Sequence, residues 1–67
     1  MGVGTGGTFA QDATKISMGT SDVQALQEQL NPKGNKGWVP YQFKGRKYQV
    51  QYEREGVNLT FLAIKSV

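Results

Sequence analysis

Lys44, Arg46 and Lys47 stand almost side by side around a Lys44-Gly45 pair that has the composition of a tight turn between strands. A compact group of lysine and arginine holds anions, and the phosphodiester backbone of DNA or RNA is the commonest polyanion it meets. Such contacts position a protein on a strand without reading its bases. The wider charge pattern agrees. Residues 33–67 carry Lys33, Lys36, Lys44, Arg46, Lys47, Arg54 and Lys65 against Glu53 and Glu55, whereas residues 1–32 carry Lys15 against Asp12, Asp22 and Glu28. The net charge of +3 is therefore concentrated in the second half of the chain. The competing explanation is that lysines at a hairpin tip keep a sheet soluble and its edges unpaired.

Other chemistry is poorly provided for. The chain has no histidine and no cysteine, so the commonest general base, a thiolate nucleophile, a disulfide and the usual zinc ligands are missing. Glu53 and Glu55 flank Arg54 in a turn-like stretch, where no burial is expected to tune them for acid–base work. Gly2-Val3-Gly4-Thr5-Gly6-Gly7 matches the spacing of a dinucleotide-binding loop, but that loop needs a strand before it. Composition thus predicts a non-enzymatic protein with no catalytic residues, no metal and no cofactor.

The basic turn has to be held by strands, and period-two alternation supplies them. Val39, Tyr41 and Phe43 alternate with Trp38, Pro40 and Gln42; Tyr48, Val50 and Tyr52 with Lys47, Gln49 and Gln51; and Val57, Leu59, Phe61 and Ala63 with Asn58, Thr60, Leu62 and Ile64. A two-residue Lys44-Gly45 turn pairs Phe43 with Arg46, Tyr41 with Tyr48 and Val39 with Val50, so the apolar sets share a face. A Glu55-Gly56 turn, or a four-residue loop around it, brings Leu59 and Phe61 to that face too. The third strand runs parallel to the first, which places Lys65 near the basic tip.

Upstream, Val23, Leu26 and Leu30 form one apolar stripe of a helix that starts at Ser21, with Gln24 three residues on, and stops at Asn31-Pro32. Residues 1–15, rich in glycine and threonine, read as a flexible leader, and residues 16–67 as a single domain. The expected architecture is α+β, in the order αβββ: one amphipathic helix on a three-stranded antiparallel meander. One helix leaves the second sheet face uncovered. Its glutamines and apolar residues, chiefly Trp38, Gln49, Gln51, Leu62 and Ile64, have the make-up of a protein interface. Two functions follow: a nucleic-acid-binding module using Lys44, Arg46, Lys47 and Lys65, or a protein-interaction module (a homodimer, adaptor or inhibitor) using the outer face. With no secretory pattern after Met1 and no apolar run of membrane-spanning length, a cytoplasmic location is expected, away from membranes.

Overall fold

The computed structural model describes residues 2–67, which form two helices and a four-stranded mixed sheet. The elements are β1 (Gly2–Thr5), α1 (Phe9–Lys15), α2 (Thr20–Gln29), β2 (Lys36–Phe43), β3 (Arg46–Glu55) and β4 (Asn58–Ser66). The strand order is β1-β4-β3-β2, and β2, β3 and β4 make the expected antiparallel meander. The α+β class holds, while the order αβββ is corrected to βααβββ.

At the first hairpin, Phe43 faces Arg46, Tyr41 faces Tyr48 and Val39 faces Val50. Lys44 (φ 51°) and Gly45 (φ 79°) are both left-handed, as a two-residue type I′ turn requires if its twist is to match the strands. Counting back from that turn, the outward-facing backbone positions of edge strand β2 include Pro40, which has no N–H to offer a further strand.

The second hairpin departs from expectation twice. Glu55 faces Asn58, so the turn residues are Gly56 and Val57, and Val57 sits at the tip, 65% exposed, instead of in the core. Further along, Tyr52 faces Phe61 but Gln51 faces Ala63, which leaves Leu62 as an extra residue in β4. A bulge of this kind inverts the alternation beyond it. Ile64, expected on the outer face as an interface residue, faces Val50 and lies in the core at 3% exposure. Ala63 takes the outer position across from Gln51.

The N-terminal segment is ordered, which corrects the flexible leader. β1 pairs parallel with β4, Val3 beside Leu59 and Thr5 beside Phe61. The chain then keeps to the β4 edge: the Gly6 N–H donates to the Phe61 carbonyl (2.9 Å) and the Thr8 N–H to that of Leu62 (3.0 Å). Gly7 allows this, because its φ is +57° and a Cβ there would lie 2.9 Å from the Leu62 oxygen. In α1, Phe9 and Ala13 are buried and Ile16 packs beside them, a spacing of i, i+4 and i+7. Phe9 is fully buried, its ring 6.1 Å from that of Phe61, and burial of such a side chain is worth about 1.5–3 kcal/mol. The Asp12 carboxylate accepts a hydrogen bond from the Ile64 N–H (3.3 Å), closing the sheet edge beyond β1.

Helix α2 starts one residue before the expected position, with the Gly19 N–H donating to the Asp22 carboxylate (2.9 Å). It buries Leu26 and rests Val23 and Leu30 on the core. Leu30 is already extended ahead of Asn31-Pro32. The loop that follows is held by Arg54, whose Nε donates to the Gly34 carbonyl (3.3 Å) and whose terminal nitrogen donates to that of Pro32.

Candidate nucleic-acid interface

Register assigns each basic side chain at the hairpin end to a face. Arg46 and Tyr48 alternate with Lys47 and Gln49, so Arg46 lies on the helix-covered side and Lys47, across from Gln42, on the outer side. Lys44 occupies the turn, its Nζ 5.2 Å from the centre of the Phe43 ring. Lys65 faces Gln49, three pairs back from the Phe43–Arg46 pair that closes the turn, and its Nζ stands 5.7 Å from the centre of the Trp38 ring, within cation–π range. The expected cluster is therefore divided: Lys44 and Arg46 toward the helices, Lys47 and Lys65 on the outer face.

Among the described residues, no carboxylate opposes these cations in the sheet. Arg46 is across from Phe43, Lys47 from Gln42 and Lys65 from Gln49. The acidic residues of the sheet, Glu53 and Glu55, lie at the far end of β3, opposite Lys36, Thr60 and Asn58. Arg54 lies at the far end of β3, across from Leu59, where loop carbonyls hold its guanidinium, so its charge is not at the tip.

The outer face brings together Trp38, Gln49, Gln51 and Leu62 of the expected interface set and excludes Ile64. Trp38 is 43% exposed, Gln49 is exposed, and Gln51 and Leu62 are half-buried. Neither helix covers this face, since both pack on the core side.

A cation that sequence patterning missed completes the basic end. Lys15, on the last turn of α1, lines a cleft of about 370 Å³ together with Ile16, Ser17, Phe43, Lys44, Arg46 and Tyr48. Its absence from the expected set follows from the leader's being read as flexible: only once α1 is docked by Phe9 does Lys15 reach the hairpin. The i, i+4, i+7 spacing of Phe9, Ala13 and Ile16 was the available signal. On the core-facing side of β2, Tyr41 has its phenol raised above the ordinary value of 10.0, chiefly by burial and further by the charge of Asp22.

Among the described residues no three or more His, Cys, Asp or Glu side chains gather as a metal site, and no helix is long and apolar enough to cross a membrane. The glycines of the G-x-G-x-x-G match lie in β1 and its following turn, and Gly2 and Gly4 are strand residues. Comparison of the chain with protein-family models, curated proteins and solved structures finds no match.

Proposed function

We propose that this chain is a small, non-enzymatic, cytoplasmic binding module that contacts a nucleic-acid backbone with the basic end of its sheet. The observation that carries this reading is the pairing at that end, where Arg46, Lys47 and Lys65 face only uncharged residues while Glu53 and Glu55 sit at the opposite end. Cations left without a carboxylate partner remain free for phosphates. Trp38, 43% exposed beside Lys65, adds an aromatic group to the same face. Neither a cofactor nor a metal has a role.

Three or four phosphate contacts release few counterions, so the affinity is expected to be micromolar or weaker, with little sequence preference. Fluorescence anisotropy with labelled single- and double-stranded oligonucleotides tests this. Between about 50 mM and 200 mM salt, binding should weaken about 20- to 150-fold, the range that three or four contacts imply for single and double strands. No binding at the lower salt would end the reading.

A second reading draws on the 43% exposure of Trp38 on a face that no helix covers. Trp38, Gln49, Gln51 and Leu62 would then meet a protein partner or a second copy of the chain. Sedimentation distinguishes it: self-association should survive 200 mM salt and be lost in Trp38→Ala, since apolar contact is barely screened by about 0.2 M ions.

A further inference from the structure

The cleft between α1 and the first hairpin combines features that the sheet end as a whole does not. Lys15, Lys44 and Arg46 reach it from two separate parts of the fold, and Ser17 and Tyr48 add hydroxyl groups. Among the described residues, no acidic one lines it. Among the described residues, the two non-glycine ones with positive φ, Ser17 (64°) and Lys44 (51°), both line this one cleft. Neither residue type is at home in that region; asparagine suits the first position of a type I′ turn far better than lysine, and glycine suits the residue after a helix better than serine. Backbone held this way tends to mark sites where a side chain is wanted for something besides stability.

We propose that this cleft seats a single phosphate group, and that it favours a dianionic monoester over a backbone diester. Three cations around one opening match a group carrying about two negative charges at neutral pH better than a diester's single charge. The hydroxyls of Ser17 and Tyr48 supply neutral donors beside the charged ones. The shared chemistry is a phosphomonoester, and it has two sources: the terminal phosphate of a nucleic-acid strand or a small phosphorylated compound. The seat rests on the nucleic-acid reading only for the first of these.

The test is a ¹H–¹⁵N NMR titration of the full chain with inorganic phosphate, against sodium chloride at equal ionic strength. Phosphate should shift the amides of Ser17, Lys44, Arg46 and Tyr48 beyond any effect of chloride, saturating at millimolar concentration. Lys15→Ala and Lys44→Asn should each weaken this by about fivefold, the effect of one exposed charge contact. Both positions are exposed, and Lys44→Asn should raise the melting temperature while it weakens binding, so loss of fold cannot account for the result. A 5′-phosphorylated tetranucleotide is then compared with the same sequence lacking the phosphate. Preference for the phosphorylated strand identifies a strand end as the source. Equal binding of the two, with inorganic phosphate still bound, identifies a small phosphomonoester as the source and leaves backbone binding to be decided by its own salt dependence. Absence of phosphate-specific shifts, or full phosphate affinity in Lys15→Ala, overturns the seat even if both oligonucleotides bind.

Discussion

Tyr41 shows how a single half-buried side chain makes stability depend on pH. Its phenol is raised above 10.0 because burial disfavours the phenolate and the Asp22 carboxylate adds to that. The unfolded chain, lacking both effects, ionises first as pH rises. The tyrosine's contribution is therefore complete below the unfolded value and is lost as pH climbs through the higher folded one. Urea denaturation at about pH 9 and pH 11 should show a steeper loss of stability in the parent than in Tyr41→Phe, because only the parent has this group to titrate. Parallel losses in the two proteins would mean that Tyr41 is solvated like a free phenol. Individual positions differed in how far their sequence revealed them. Val39, Tyr41 and Phe43 were placed correctly because the Lys44-Gly45 turn fixes their partners to the residue. Ile64 was not, because Leu62, Ala63 and Ile64 are all apolar and alternation through them is consistent with either face.

At the level of elements, the bulge in β4 and the docking of α1 are linked. The extra residue at Leu62 turns Ile64 inward, and the Ile64 N–H then meets the Asp12 carboxylate of α1. Ile64→Asp should consequently unfold the domain, by burying a charge with no partner, whereas Gln49→Asp on the open outer face should change the melting temperature little. A mild effect of Ile64→Asp in thermal melts would contradict the inverted register. The helix itself depends on Phe9. Phe9→Ala should destabilise by about 3–5 kcal/mol, close to the whole stability of a domain this small, and denaturant titration would register it as loss of the cooperative transition. A shift below about 1 kcal/mol would return residues 1–15 to the status of a tether. Composition misled here for a physical reason. Glycine raises the entropy of an unfolded chain, but at Gly7 it also permits a positive φ and an approach to the Leu62 carbonyl that no side chain would allow. The meander could be read from alternation; the parallel partner of β4 could not, since a four-residue strand with two glycines carries almost no pattern.

Across the whole molecule, the fold separates unopposed cations from opposed ones. Lys15, Lys44, Arg46, Lys47 and Lys65 surround the first hairpin end, whereas Glu53 and Glu55 stand at the other end beside Lys36 and Arg54. The asymmetry between the two halves of the sequence was legible from composition, but its splitting over two faces, and the arrival of Lys15, needed the register and the docked helix. Salt dependence alone would report that some cations bind phosphate without saying which. The most direct measurement is anisotropy of a labelled oligonucleotide at about 50 mM salt with the parent and with the triple variant Lys44→Glu, Arg46→Glu, Lys47→Glu, each checked for its melting temperature. The variant should melt near the parent, because all three side chains are exposed, and should no longer bind. A folded triple variant that binds as tightly as the parent would contradict the nucleic-acid reading.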